Sequence, residues 1–326
     1  MPEIIQSLVP WLGPPWSLPA ASIVIVVSAA FLALGAGWTV DASVEVAERL
    51  GISPRLVGLT LVAMGTSAPE FAVSITAAVE EGSTMAISNV VGSNIFNLGF
   101  ILGGVAIVSP LATDGRAVWR DGTVLLMSAV AVWLLFGIDL GVDRSNGALL
   151  LLGLGGYLAL LLRDARSERH EPKVREDSGS AFAVAGRFLV GIVFVVVSAE
   201  LLVEAASSIA HSLGVSEWVI GITIVAAGTS LPEFTTSLVA VVRGQHELSL
   251  GNIIGSDIFN VLGVLGLTAL LRPVPIGPEA SGSILALAGM VCLTLIFMRT
   301  GWRISRIEGS ALIVFGILRW VLDFTG

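Results

Sequence analysis

Apolar residues run through the chain in long stretches separated by short polar or turn-rich breaks. A helix needs about 20 mainly apolar residues to cross a membrane, and ten stretches approach or exceed that length. They are residues 17–39, 55–79, 84–108, 118–137, 146–162, 182–210, 216–242, 246–271, 281–299 and 304–322. The pattern predicts an all-α integral membrane protein with ten transmembrane helices.

Composition supports a lipid environment. Hydrophobic residues make up 55% of the 326 residues and charged residues only 13%, whereas soluble proteins carry about 25% charged residues. A disordered chain is excluded and a soluble enzyme is disfavoured. The net charge of −8 speaks against a nucleic-acid partner, and the single cysteine excludes a disulfide framework. The lipid bilayer is the expected partner; neither a cofactor nor an obligate protein partner is predicted.

The positions of Lys and Arg predict an orientation. On the ten-stretch assignment, 14 of the 17 cations fall at the loops after the odd-numbered stretches. Arg144, Arg272 and Arg319 fall on the opposite side. Cytoplasmic loops carry the excess of positive charge. We therefore expect a plasma-membrane protein with both termini extracellular and loop 163–180 cytoplasmic.

The chain contains an internal repeat. A shift of 163 residues aligns 58–104 with 221–267 without a gap, and 21 of 47 positions are identical. Each half holds five predicted spans, an odd number, so the second half should enter the bilayer upside down. The predicted organisation is a first half over 1–163, a linker over 164–180 and a second half over 181–326. Inverted repeats with interrupted helices are typical of secondary transporters.

Two acids fall near the middle of predicted spans. Glu70 and Glu233 occupy equivalent repeat positions, and an uncompensated carboxylate at that depth costs about 2.5–3.5 kcal/mol on insertion scales. Hydroxyl residues precede each acid by four and three positions, which places them on the acid's face if the helix is continuous. These residues are Thr66, Ser67, Thr229 and Ser230. A functional role therefore explains these two acids better than a purely structural role does.

Prolines and a second polar block accompany the acids. Pro69 and Pro232 lack the N–H that continues a helix, so each span should break there. The second block repeats Asn, Ser and Asn at a spacing of four, which puts them on one helix face. Its members are Asn89, Ser93 and Asn97 in the first half and Asn252, Ser256 and Asn260 in the second. Asn89 and Asn252 suit either helix-to-helix hydrogen bonds or ion contact; the other four are interpreted as ligands.

Three further residues of this block receive weaker interpretations. Asp257 lies on a different helical face from the predicted ligands, so it is placed outside the site. Gly92 and Gly255 are expected to let neighbouring helices approach closely.

The donor set predicts a cation. Carboxylates, hydroxyls, amides and freed carbonyls are hard oxygen donors, and Ca²⁺ takes six to eight of them. Copper and structural zinc prefer softer ligands. One Ca²⁺ or two monovalent cations would neutralise two carboxylates, whereas an empty site would keep buried charge and resist reorientation. Such a site predicts obligatory exchange across the membrane.

The paired motifs GTSAPE (65–70) and GTSLPE (228–233), each followed by a GSNIFN or GSDIFN block, resemble the alpha repeats of the calcium/cation antiporter superfamily. Prokaryotic sodium/calcium exchangers are the most similar branch. The resemblance implies a secondary antiporter that binds Ca²⁺ and Na⁺ alternately at a midplane site. It also implies that spans one and six slide across the other eight. Gly35 and Gly37 in span one either assist that motion or simply pack.

By motif position, the resemblance implies a full set of ion ligands. They are Glu70, Glu233, Thr66, Ser67, Thr229, Ser230, Ser93, Asn97, Ser256 and Asn260, with the backbone oxygens of Ala63 and Ala226. Some relatives carry Asp at one of the positions that Asn97 and Asn260 fill here, which leaves the coupling ion and stoichiometry open.

Three alternatives remain at this stage. Related branches couple to H⁺ or K⁺ instead of Na⁺. A cation channel could use the same oxygens with weak multi-site binding. An intramembrane hydrolase would need a nucleophile with a base, or a metal-activated water. No histidine falls in the middle of a predicted span, so an enzyme is not expected.

Overall fold

The structure is a computed structural model that describes residues 16–80, 84–139, 141–167, 180–215, 224, 226–275 and 280–325. Its architecture is almost entirely helical. The helices are α1 (Leu18–Leu50), α2 (Pro54–Thr66), α3 (Ala68–Glu80), α4 (84–108), α5 (117–139), α6 (Arg144–Ser167), α7 (Ala181–Ser212), α8 (Ala226–Gly228), α9 (Leu231–Val242), α10 (His246–Leu271), α11 (Ser281–Arg299) and α12 (Arg306–Thr325). The all-α prediction is confirmed.

In the described part of the chain, four two-residue strands form two antiparallel ribbons between the helices. Strand β1 (Leu111–Ala112) pairs with β4 (Arg303–Ile304), and β2 (Gly141–Val142) pairs with β3 (Val274–Pro275). Each ribbon joins a connection of the first half to one of the second. The two halves are therefore linked by backbone hydrogen bonds as well as by helix packing.

The protein is an integral, multi-pass membrane protein. Among the described residues, seven helices are long and apolar enough to cross a bilayer, or eight if the bent pair of α2 and α3 forms one span. Helical structure lies at every one of the ten predicted stretches. Residues 216–223 and 225, the start of the seventh stretch, lie outside the described residues. The count of ten membrane crossings and the inverted arrangement stay predictions.

Helix ends differ from the predicted boundaries where polar residues continue a helix. Helix α1 runs to Leu50, beyond the predicted end at residue 39, and stops at Gly51, whose φ of 64° suits glycine. Helix α6 extends to Ser167, into the predicted linker. Hydropathy measures the apolar part of a helix, so it underestimates the length of helices that continue past the hydrocarbon layer. Most of the predicted linker, residues 168–179, lies outside the described residues.

Helices α4 and α10 lie at the centre of the molecule and are largely buried. Glycines allow α2 to pack closely against α10, because a Cβ on Gly58 would lie 2.5 Å from the Leu248 carbonyl oxygen. A Cβ on Gly255 would lie 2.7 Å from the Cα of Leu59, which confirms the predicted close approach there. Within the described residues, no atom lies within 4 Å of a Cβ built on Gly92. The expectation for that glycine remains a prediction.

Helices α1 and α7 form an outer pair. They meet where a Cβ on Gly35 would lie 2.8 Å from the Gly191 carbonyl oxygen, so Gly35 is a packing glycine. Their outward faces expose large apolar side chains, among them Val26 and Val193, each more than half exposed. In a membrane protein such faces are suited to lipid contact.

Candidate cation site

Both acid-bearing spans are interrupted immediately before their acids. Helices α2 and α3 meet at an angle of 44°, with Ser67 at the break between them. In the second half a two-residue turn, Thr229 and Ser230, separates α8 from α9. The break that the prolines predicted is therefore present in each half. Glu70 and Glu233 lie in the first turns of α3 and α9, where the positive end of the helix dipole favours negative charge.

The hydroxyl next to each break contacts the acid of the other half. Ser67 Oγ donates to Glu233 Oε1 at 2.8 Å, and Ser230 Oγ donates to Glu70 Oε1 at 3.0 Å. All four side chains are fully buried. Each acid is therefore bonded to the segment that immediately precedes the other acid. The two halves thus meet at a single acidic centre.

The threonine before the first break also contacts the other half. Thr66 Oγ1 donates to Asn252 Oδ1 at 3.2 Å. Ser67 and Ser230 thus bond the acid of the other half, a pairing that helical spacing within one half does not predict. Helical spacing holds only along a continuous helix, and the chain turns between the hydroxyls and the acid.

The second polar block lies beside the acids. Ser256 Oγ donates to Glu233 Oε1 at 3.3 Å. Asn260 Nδ2 donates to Ser93 Oγ at 3.3 Å and Asn97 Nδ2 donates to the Asp257 carboxylate at 3.0 Å. These side chains are buried. The block of each half therefore contacts that of the other half.

A π-helical turn begins at each of the two asparagines, over Asn97–Leu102 in α4 and Asn260–Leu265 in α10. Such turns are rare in proteins overall, but they often occur at functional sites. They change which backbone carbonyls are available for other partners. Their matched positions mark the same point of each half.

The centre contains acceptor oxygens without protein partners. Among the described residues, Oε2 of Glu70, Oε2 of Glu233, Oδ1 of Asn97 and Oδ1 of Asn260 are buried and accept no hydrogen bond. Leaving a buried acceptor unsatisfied costs about 1–3 kcal/mol, and more when it is charged. A cation satisfies acceptors and only acceptors. The site is thus chemically suited to positive ions with hard oxygen ligands.

Asn89 and Asn252 hold helices together. Asn89 Nδ2 donates to Ser74 Oγ at 2.9 Å, and Asn252 Nδ2 donates to Ser237 Oγ at 2.9 Å. Each bond joins the helix of the second block to the helix that carries the acid. Of the two functions left open by the sequence, helix-to-helix hydrogen bonding is the one observed.

The Ala63 carbonyl, one of the two backbone oxygens expected as ligands, has hydrogen-bond partners within its own segment. The Ala63 carbonyl accepts from Ser67 N at 3.0 Å and from Thr66 Oγ1 at 3.4 Å. Ala226 is the first residue of α8, so its carbonyl lies just before the second break.

Sequence reasoning left four buried polar residues of this network out of the site: Ser74, Ser237, Asn94 and Asp257. Ser74 and Ser237 hold the asparagines described above. Asp257 contacts Asn97 although it was placed outside the site. A signal existed, because 94 and 257 are equivalent positions of the repeat and 74 and 237 carry the same residue.

Comparison with known proteins agrees with the fold and chemistry. The family model described as "Sodium/calcium exchanger protein" matches residues 20–163 and 183–320. The chain is 32% identical to the sodium/calcium exchanger MaX1 of Methanosarcina acetivorans, covering 93% of this chain and 98% of the relative. It is 31% identical to the inner membrane protein YrbG of Escherichia coli, covering 92% and 95%.

A solved structure of the sodium-calcium exchanger NCX_Mj superposes with a TM-score of 0.81 at 30% identity, covering 91% of this chain and 96% of that one. Both the sequence match and the structural match extend over nearly the whole chain, not only over the two motif blocks. This protein belongs to the sodium/calcium exchanger family, a family of transporters.

Proposed function

We propose that this protein is a secondary active antiporter that exchanges Ca²⁺ for Na⁺ by alternating access, with the ion held between Glu70 and Glu233. The observation that carries the proposal is the set of buried acceptor oxygens without protein partners at the meeting point of the two halves. Family membership supports cation exchange in general. The Na⁺ coupling and the ligand assignment are our proposal.

The proposed ligands combine charged and neutral oxygens. Besides the two acids, they are Thr66, Ser67, Thr229, Ser230, Ser93, Asn97, Ser256 and Asn260, with the carbonyls of Ala63 and Ala226. A serine that donates its proton to a carboxylate keeps lone pairs on oxygen for a cation. The crossed hydrogen bonds therefore orient the hydroxyl oxygens and leave them able to bind the ion.

Obligatory exchange follows from charge. Two ionised carboxylates in a low-dielectric centre repel each other, and an empty site would carry that unpaired charge through any rearrangement. One Ca²⁺, or more than one Na⁺, offsets the charge of the Glu70–Glu233 pair. Loaded states can therefore change access, whereas the empty state is held back.

We assign the moving part to the outer pair α1 and α7. Support comes from their position, because they pack against each other through Gly35 and Gly191 and expose apolar faces. The site itself lies between helices that are linked by buried polar contacts. The proposal includes ten spans in two inverted halves, 1–163 and 181–326, joined by the linker 164–180. It also includes a plasma-membrane location with extracellular termini and loop 163–180 cytoplasmic.

Isotope flux tests the function. In proteoliposomes, ⁴⁵Ca²⁺ uptake should be driven by an outward Na⁺ gradient and not by K⁺ or H⁺ gradients imposed one at a time. Glu70→Gln and Glu233→Gln should each abolish the Na⁺-driven uptake. Glu247→Gln, which neutralises an exposed acid at the start of α10, is the matched control and should retain it.

Other outcomes identify the competing functions. Uptake without any counter-ion would indicate a channel and overturn exchange. Uptake driven by H⁺ or K⁺ alone would keep the antiporter and overturn Na⁺ coupling. Na⁺-driven uptake that survives in both Gln variants would overturn the assignment of the site.

A further inference from the structure

We propose that Asp257 is a positioning residue that turns the amides of Asn97 and Asn260 so that both present oxygen to the ion. The inference deepens the proposed function and rests on it. Asp257 is fully buried between the two halves and does not belong to the proposed ligand set. Its role is to determine which atom of each asparagine faces the ion.

The orientation of an asparagine decides whether it can bind a cation. The side chain ends in one acceptor oxygen and one NH₂ donor of nearly the same size. Only the oxygen can coordinate a positive ion, and a flipped amide would direct N–H groups at it. A site with two asparagines therefore needs a hydrogen-bond partner that selects one of the two orientations of each.

The Asp257 side chain selects the orientation of Asn97. Asp257 Oδ1 accepts from Asn97 Nδ2 at 3.0 Å. Because a carboxylate oxygen is an acceptor, it attracts the nitrogen end of the amide and disfavours the flipped form, which would oppose two oxygens. Oδ1 of Asn97 is consequently left buried and without a hydrogen-bond partner among the described residues.

The Asp257 backbone acts on Asn260 through Asn94. The Asp257 carbonyl accepts from Asn94 Nδ2 at 3.0 Å, which leaves Asn94 Oδ1 to accept from Asn260 Nδ2 at 3.1 Å. The Oδ1 atom of Asn260 is then also left without a partner in the described part of the chain. Ser93 Oγ, whose proton goes to the Val90 carbonyl, accepts from the same Asn260 nitrogen at 3.3 Å. Asp257 thus orients Asn97 directly through its side chain and shares the orientation of Asn260 with Ser93.

The test uses crossed rescue. Replacing an asparagine by aspartate removes the need for orientation, because both atoms at the end of the side chain become oxygens. Asp257→Ala should weaken ⁴⁵Ca²⁺ binding to the purified protein in detergent by about tenfold, the effect of one lost hydrogen bond to a charged group. Adding Asn97→Asp to that variant should restore the Kd to within about threefold of wild type.

The control variant has the same charge. Adding Asn260→Asp to Asp257→Ala restores the same number of acids, yet it should not restore binding, because it leaves Asn97 free to flip. The mirror experiment exchanges the roles: Asn94→Ala should be rescued by Asn260→Asp and not by Asn97→Asp. Asp257→Asn keeps an acceptor at the position and should bind Ca²⁺ within about threefold of wild type.

Each result decides the inference. Wild-type affinity in Asp257→Ala, or equal rescue by the two second-site aspartates, overturns it; equal rescue would indicate a charge effect. If Asp257→Ala does not fold, Asp257→Ser, whose shorter side chain no longer reaches Asn97, takes its place with the same two rescues. Loss of Ca²⁺ binding in Glu70→Gln together with an unaffected Asp257→Ala overturns only this inference. Absence of Ca²⁺ binding in the wild type overturns it together with the proposed function.

Discussion

The two halves carry nearly the same polar residues but do not use them equally. Glu233 accepts hydrogen bonds from Ser67 and Ser256. Glu70 accepts from Ser230. Ser93, the counterpart of Ser256, instead donates to the carbonyl of Val90 in its own helix at 3.2 Å. The repeat therefore supplies this serine twice, but among the described residues only Ser256 contacts the acid of its own half.

This inequality has a physical interpretation. If two inverted halves held identical conformations, the site would be equally accessible from both sides. An alternating-access protein must instead hold its halves in different conformations at any one time. We interpret the missing contact of Ser93 as part of that difference, and the following predictions probe it from the largest effect to the smallest.

The largest effect is expected from the acids, measured as thermal stability in detergent. Ca²⁺ at 100 times its Kd should stabilise the wild type by about 2.7 kcal/mol. Glu70→Gln and Glu233→Gln should lose this stabilisation. In chelator, neither should be less stable than wild type, because each removes an unpaired buried charge. A Ca²⁺-induced stabilisation that persists in either variant would contradict the shared site.

Next come the serines that cross between the halves. Ser67→Ala and Ser230→Ala each remove a hydrogen bond to a carboxylate, worth about 1.5–3 kcal/mol. We expect a loss of roughly 10- to 100-fold in Ca²⁺ affinity by equilibrium binding. Ser310→Ala removes an exposed hydroxyl that bonds its own helix and should leave affinity unchanged. Equal, small effects in all three variants would show that the crossed bonds are irrelevant to the ion.

Ser93 and Ser256 test the difference between the two halves of the site directly. Under conditions that favour the conformation described here, Ser256→Ala should weaken Ca²⁺ binding more than Ser93→Ala, since only Ser256 contacts a carboxylate. The difference should be about the value of one hydrogen bond, near tenfold. Equal losses, measured side by side by equilibrium binding, would show that the two halves of the site are equivalent in solution.

The sequence predicts the residue types of the site well and their contacts poorly. Apolar stretches, the repeat and two acids in mid-span predict the helical class and the acidic centre, because each depends on local composition. The crossed bonds of Ser67 and Ser230 do not follow from spacing. They require knowing that the chain turns at the break and that the other half lies opposite.

Asp257 illustrates the same limit. Its helical face differs from that of Ser256, which is why sequence reasoning placed it outside the site. The face argument considers one helix, whereas the Asp257 carboxylate contacts Asn97 of the other half. The equivalence of positions 94 and 257 was visible in the sequence, but its chemical meaning depended on packing between the repeats.

A smaller effect is expected from the asparagines that join helices. Asn89→Ala and Asn252→Ala remove interhelical hydrogen bonds, which are worth about 0.6 kcal/mol on average in membrane proteins. Asn252 also accepts from Thr66 Oγ1 at 3.2 Å, so its substitution should lower the thermal stability more than that of Asn89. Ca²⁺ affinity should change less than in the serine variants. A loss of affinity comparable to that of Glu70→Gln would identify either asparagine as a ligand.

The smallest effect concerns a contact between the second half and α1. Arg243 follows α9, donates to the Gly37 carbonyl at 2.9 Å and pairs with Asp41, both in α1; the equivalent position of the first half is Glu80.

If α1 moves relative to the site, these contacts between Arg243 and α1 must break in one access state. Arg243→Gln should then change the exchange rate by no more than about fivefold, as expected for an exposed ion pair worth about 0–1 kcal/mol, and leave Ca²⁺ affinity unchanged.

Arg187→Gln is the matched control. Arg187 pairs with Glu45 and joins α7 to α1, two helices that would move together, so its loss should leave the rate unaltered. A rate change in Arg187→Gln as large as that in Arg243→Gln would contradict the motion of α1 and α7 as one unit.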